Sequence, residues 1–134
     1  MSKLKPSIAK KIERMREAYV GFEGDDLEIF LAILRDDAVW HSQLSGTDLK
    51  GKAAIRTALH RVVGATDQYK VGIHDIVAND DHMVVLETHN ARFKSGITMH
   101  ESPSTAVYHL DDEGYVTEVW PILDTALWKK ALGM

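Results

Sequence analysis

The sequence predicts an α+β domain in which about three amphipathic helices cover one face of a curved antiparallel sheet. Three observations point there. Apolar residues recur at helical steps through the first 64 residues, the period then changes to two, and three turn signals divide the second half into successive strands.

Ile8, Ile12, Met15, Tyr19 and Phe22 recur at steps of four and three and set one face of a first helix. Gly21 and Gly24 loosen the chain, and Asp25 stands as an N-cap with Glu28 three residues on. Leu27, Phe30, Leu31 and Leu34 then mark a second helix, which Asp36-Asp37 stops. Residues 38–42 form a short β-like run and residues 43–51 a polar loop. Ile55, Leu59, Val62 and Val63 mark a third helix, closed by Gly64. Beyond it, Tyr69, Val71 and Ile73 alternate with Lys70, Gly72 and His74. Turns at residues 79–81, 94–96 and 111–114 separate this strand from runs at 82–93, 97–110 and 115–123, an antiparallel meander. Pro103 cannot donate to a ladder and marks a bulge or kink in its strand. Asp124 caps a last helix that runs through Leu132, with Gly133 beyond it. A curved sheet closed by helices encloses a cone-shaped space suited to a ligand.

The 134 residues, 45 % hydrophobic and 27 % charged, fit one domain spanning 1–134 and exclude a disordered chain. The net charge of −4, with no basic stripe, argues against nucleic acid as a partner. The absence of cysteine removes disulfides and thiolate chemistry, and suits a reducing cytoplasm. Met1 to Ser7 lacks the apolar core of a signal peptide, and the longest apolar run, Ile29 to Leu34, is too short to span a membrane. No two histidines have the spacing of a short-range metal pair, so neither a metal nor another cofactor is expected.

Three segments together resemble the nuclear transport factor 2-like (cystatin-like) fold, and within it the SnoaL-like and ketosteroid isomerase-like proteins. They are Gly24-Asp25-Asp26-Leu27 through Leu34 to Trp40, Gly51-Lys52-Ala53-Ala54-Ile55, and Asp112 to Val116 through Trp120-Pro121-Ile122-Leu123-Asp124 to Gly133. The resemblance implies a cone-shaped barrel of curved antiparallel sheet covered by N-terminal helices. The general base of ketosteroid isomerases falls at Ser42, their second acid at Ala106, and their oxyanion-hole tyrosine at Ala18, one residue before Tyr19. The acid of SnoaL-like cyclases and limonene epoxide hydrolases falls at Pro121, and the hydrolases' additional Arg and Asp fall near Leu86 and Thr88. None of these catalytic sets is intact.

Other side chains are therefore the candidates. His41, beside Trp40 and Ser42 on the first strand, titrates near neutral pH and could act as base or acid; strand parity offers the alternative that Trp40 and Ser42 point inward and His41 outward. His100 shares a strand face with Ser102, Ser104, Ala106 and Tyr108; by resemblance this face lines the cavity, with a place at the sheet rim or at a subunit contact the alternative for His100. Tyr19 is a donor on the core face of its helix, or a buried tyrosine bonded to backbone. Asp124 is either a cavity carboxylate or only a helix cap. Met83 to Leu86 are apolar on both faces, so periodicity does not orient Glu87 to Asn90; the resemblance favours Thr88 and Asn90 inward, with Glu87 and His89 on an outer face that packs a homodimer. Trp40 and Trp120 are pocket wall or dimer contacts, and Trp128 anchors the final helix.

The resulting expectation is a small-molecule pocket acting by cofactor-free general acid/base chemistry on an apolar substrate, as isomerase, cyclase, dehydratase or hydrolase. The alternatives are a non-catalytic binding pocket and a dimeric interaction domain.

Overall fold

The computed structural model describes residues 6–23 and 26–134. The expected cap at Asp25, the glycine at 24 and residues 1–5 lie outside the described residues. Helix α1 (Ile8–Tyr19) starts at Ser7, whose hydroxyl accepts from the Lys10 N–H, and runs into a 3-10 turn (Val20–Phe22). Then follow α2 (Glu28–Leu31), β1 (Leu34–His41), β2 (Asp48–Lys50), α3 (Lys52–Gly64), β3 (Thr66–Ala78), β4 (His82–Phe93), β5 (Thr98–Leu110), β6 (Val116–Ile122) and α4 (Thr125–Leu132). The sheet has six strands in the order β2-β1-β6-β5-β4-β3. Strands β3 to β6 form the expected antiparallel meander.

Several local expectations need correction. The second helix ends at Leu31, and Leu34 opens β1 rather than closing that helix. Leu34 continues the apolar spacing of Leu27, Phe30 and Leu31 because all four are buried in the same core, although the backbone has already changed conformation. Asp36 and Asp37 do not stop a helix; they lie exposed in β1, where its register on β6 slips between Leu34 and Val39. The β1–β6 pairing is parallel, so the sheet is mixed. Within the expected polar loop, Asp48–Lys50 forms β2 on β1, and the Gly51 N–H bonds to the Ala38 carbonyl at 2.8 Å with φ +92°, a conformation that favours glycine.

The bulge expected at Pro103 lies upstream of it. The β4–β5 register shifts between His89 and Ala91, and Glu101 there takes φ +50°. Pro103 itself pairs with Thr88. A second shift between Ile73 and Asp75 turns β3 so that Tyr69 and Val71 face the core before it and Ile76 after it.

The main core joins Tyr19, Phe30, Leu31, Ile55, Val85, Tyr108 and Val119, drawn from the three N-terminal helices and the inner sheet face. Phe30 is fully buried and meets Tyr19, Trp40 and Tyr108 ring to ring. Helix α4 is capped by the Asp124 carboxylate, which accepts from the Leu127 N–H, and ends at Gly133 with φ +73°. It packs Trp128 against Phe93, Ala91 and Met99 in a second core. A cavity lies between these two cores and is lined by residues of both.

Candidate functional site

Strand β4 alternates without interruption. Met83, Val85, His89, Ala91 and Phe93 are buried on the inner side. Glu87 shares their parity, so it and His89 face inward. This reverses the expected orientation. Thr88 and Asn90 face outward, where Thr88 sits over Gly72 and Asn90 Oδ1 accepts from the Glu101 N–H at the β5 bulge. The signal was present in Ala91-Arg92-Phe93: a buried phenylalanine beside an exposed arginine sets the parity of the whole strand.

On the inner side six side chains form one hydrogen-bonded network. Tyr19, from α1, donates its hydroxyl proton to Glu87 Oε2, and its oxygen lies 2.6 Å from the Tyr108 hydroxyl. Ser104, the direct cross-strand partner of Glu87, donates to Glu87 Oε1 at 2.7 Å. His89 Nε2 lies 2.6 Å from Ser104 Oγ and 3.2 Å from Glu87 Oε1, and His89 Nδ1 lies 3.2 Å from the Tyr69 hydroxyl. One proton assignment satisfies every member: Tyr69 donates to Nδ1, Nε2–H donates to Ser104, Ser104 and Tyr19 donate to the Glu87 carboxylate, and Tyr108 donates to Tyr19. Among the described residues no buried side-chain nitrogen or oxygen lacks a partner.

Glu87 keeps 11 % of its side-chain surface exposed and His89 8 %. Burial, followed by the charges of Tyr108 and Glu87, pushes the Tyr19 hydroxyl well above the ordinary tyrosine range. Burial and the Glu87 charge raise Tyr69 and Tyr108 likewise, with the Tyr19 hydrogen bond opposing the shift at Tyr108. All three therefore act as hydroxyl donors and not as phenolates.

The network forms the polar end of a cavity of about 130 Å³. Phe22, Trp40, Leu59, Val62, Tyr69 and Trp128 are among its walls. Trp128 places its ring edge-on to Tyr69, His89 and Phe93, so α4 closes one end. Glu87 is the carboxylate in the lining, and neither lysine nor arginine lines it among the described residues. Among the described residues no group of three or more histidine, aspartate or glutamate side chains is arranged to hold a metal ion. No described helix is long and apolar enough to cross a membrane.

A family model for the SnoaL-like domain matches residues 13–119. The chain belongs to the SnoaL-like family. Solved structures share the fold at low identity. TerC co-crystallised with polyporic acid is 22 % identical, with a TM-score of 0.76 over 92 % of this chain and 98 % of that one. A protein from Catenulispora acidiphila with a ketosteroid isomerase-like fold, in complex with trimethylamine, is 14 % identical, with a TM-score of 0.76 over 91 % and 93 %. A Mycobacterium tuberculosis protein in complex with estradiol-17β-hemisuccinate is 17 % identical, with a TM-score of 0.72 over 87 % and 95 %. No curated protein matches the chain.

In this SnoaL-like domain the positions at which relatives were expected to carry acids, Ser42, Ala106 and Pro121, all line the cavity and carry none. The carboxylate comes instead from Glu87 on β4. Trp40, Ser42 and Ser104 line the cavity, and Tyr19 reaches it through Glu87. The remaining candidates lie elsewhere. His41 faces outward, its Nδ1 and Nε2 each 2.9 Å from a carboxylate oxygen, of Asp48 and Glu118, and its ring stacked 4.5 Å from Trp120. Trp120 therefore belongs to the outer face, because its neighbour Val119 takes the inner one. His100 is exposed beside the bulge, which breaks the parity linking it to Ser104. Ser102 is half-buried and stays outside the lining, and Asp124 is engaged as the α4 cap. Sequence reasoning did not select Glu87, His89, Tyr69 or Tyr108 as site residues.

Proposed function

We propose that this SnoaL-like domain binds a small, largely apolar molecule and moves a proton on it without a cofactor, with Glu87 as the general base. The observation that carries the reading is the carboxylate at the inner end of an apolar cavity, fixed on Oε1 by Ser104 at 2.7 Å and on Oε2 by Tyr19. A carboxylate has about four acceptor sites, and Ser104 and Tyr19 take two, leaving room for a substrate proton. Little reorganisation is needed, because both β4 and β5 lie inside the sheet and their pairing holds the bridge. His89, linked through Ser104, returns the proton or keeps the carboxylate oriented. Relatives of this fold that hold small molecules support a pocket role.

The size of the occupant follows from the volume. An apolar cavity of about 150 Å³ holds benzene, so 130 Å³ suits a single ring better than a steroid. The cysteine-free composition supports a cytoplasmic setting. A homodimer through the outer sheet face is proposed on the cross-strand row Val77, Val84, Val107 and Trp120, flanked by Leu86 and Ile122.

The test is a substrate-independent base assay. Benzisoxazole opens to a cyanophenolate when a base removes its ring C–H proton, and a desolvated carboxylate suffices. The wild-type protein should accelerate this opening over buffer, and Glu87→Gln should lose on the order of 100-fold or more of the acceleration. A folded Glu87→Gln protein that is as fast as wild type removes Glu87 as the base.

A further inference from the structure

The cavity lining contains donors that the network does not use. The Ser42 hydroxyl oxygen accepts from the Ser45 N–H at 3.3 Å, and its own proton meets no acceptor among the described residues. The Gln43 side-chain oxygen accepts from the Leu123 N–H, and its amide N–H groups are unspent. The indole N–H groups of Trp40 and Trp128 likewise bond to no described residue. These donors differ in their access to water. Gln43 is exposed and Ser42 and Trp40 are half-buried, which leaves their donors open to solvent. Trp128 is only 3 % exposed, held edge-on against Tyr69, His89 and Phe93. Among the described residues no fully buried side-chain nitrogen lacks a partner, so Trp128 Nε1 itself holds part of that small accessible surface. A tryptophan this deep ordinarily gives its N–H to an acceptor, because a buried donor left unmet is costly.

We infer that the Trp128 indole N–H opens into the cavity and anchors an oxygen of the ligand, which is a small ring bearing a carbonyl group. This rests on the pocket proposed above and not on proton transfer by Glu87. An indole N–H donates and never accepts, so the group it selects is an acceptor. A carbonyl oxygen offers two lone pairs and brings no proton of its own, whereas a hydroxyl would add a donor to walls that are largely apolar. Helix α4 thereby contributes more than closure of the cavity: it supplies the group that fixes which way round the ligand lies.

The three tryptophans give three indole signals in a nitrogen-resolved proton NMR spectrum, and Trp120, on the outer face, is the internal reference. Trp40→Phe and Trp120→Phe assign them. Two probes of one shape isolate the oxygen: cyclopentanone, and methylenecyclopentane, which carries a CH₂ group in its place. Cyclopentanone should move the Trp128 indole proton downfield as it enters a hydrogen bond, methylenecyclopentane should not, and Trp120 should stay still with both. Trp128→Phe, which keeps an aromatic ring and removes the N–H, should weaken cyclopentanone by about three- to tenfold more than it weakens methylenecyclopentane. The wild-type spectra decide the matter if that variant does not fold. A Trp128 signal that responds equally to both probes, or stays still while cyclopentanone saturates the protein, overturns the anchor. Failure of the wild type to bind either probe overturns the pocket and the anchor together. The base role is separable from both. Benzisoxazole opening that depends on Glu87, with Trp128 indifferent to the ketone, keeps the base and removes the anchor; a ketone-specific Trp128 shift with opening at the buffer rate keeps the anchor and removes the base.

Discussion

Glu87 Oε1 and Ser104 Oγ lie 2.7 Å apart across a direct register pair of β4 and β5, and the same hydroxyl stands 2.6 Å from His89 Nε2. One small side chain on one strand therefore connects the two titratable groups of its neighbour. Both strands have partners on either side, so the geometry is set by backbone pairing and not by a loop.

Ser104→Ala removes that connection. Glu87 keeps Tyr19 and His89 as donors, while His89 loses its shortest contact. A hydrogen bond to a charged group contributes about 1.5–3 kcal/mol, so urea unfolding should show a loss of roughly that size. A loss below about 0.5 kcal/mol would mean that water replaces the hydroxyl and that the cavity's polar end is wet.

His41 gives a pH-dependent prediction on the outer face. The Glu118 carboxylate, aided by Asp48 and opposed by partial burial, raises its pKa above the ordinary histidine value. A raised folded-state pKa means that the contribution is fully present below about pH 6.5, the unfolded value, and is lost as pH rises through the folded value. With Asp48 44 % and Glu118 40 % exposed, solvent screening limits it to about 1 kcal/mol or less. Melting curves of wild type and His41→Gln should therefore be separated most near pH 6 and converge by about pH 9. Parallel curves across this range would contradict the arrangement.

Gly21 tests the packing of α1 on α2. A Cβ there would stand 2.6 Å from the Asp26 carbonyl oxygen and 3.3 Å from Ile29 Cβ. Backbone cannot yield as a side-chain tip does, so Gly21→Ala should destabilise by about 1–3 kcal/mol in chemical denaturation. An unchanged midpoint would show that the two segments sit further apart.

The proposed dimer makes a hydrodynamic prediction. Sedimentation at micromolar concentration should give a species of twice the 15.0 kDa chain mass. Ile122, 51 % exposed on the outer face, can be changed to Asp with little effect on the fold, and this variant should sediment as the monomer. A wild-type protein that stays monomeric withdraws the outer face as a self-contact.

What the chain determined by itself was local. Helical spacing placed α1 and α3, alternation and turn residues placed the meander, and Asp124 and Gly133 bounded α4, because caps, turns and periodicity depend on residues a few positions apart. The candidate site was legible in part: Ser104 and Tyr108 were on the right face, Tyr19 was on the core side of its helix, and Trp40 and Ser42 had the inward parity. Only tertiary structure decided the rest. Leu34 belongs to a strand because Val116 is there to pair with it, and β2 exists because β1 offers an edge. His100 left the cavity because two strands of unequal residue count were joined by a bulge. Glu87 and His89 meet Tyr19, Tyr69 and Ser104 through contacts spanning 15 to 68 positions in sequence, and Tyr19 meets Tyr108 across 89. A strand's parity can be read along one chain, but which side is inside is settled by what packs against it.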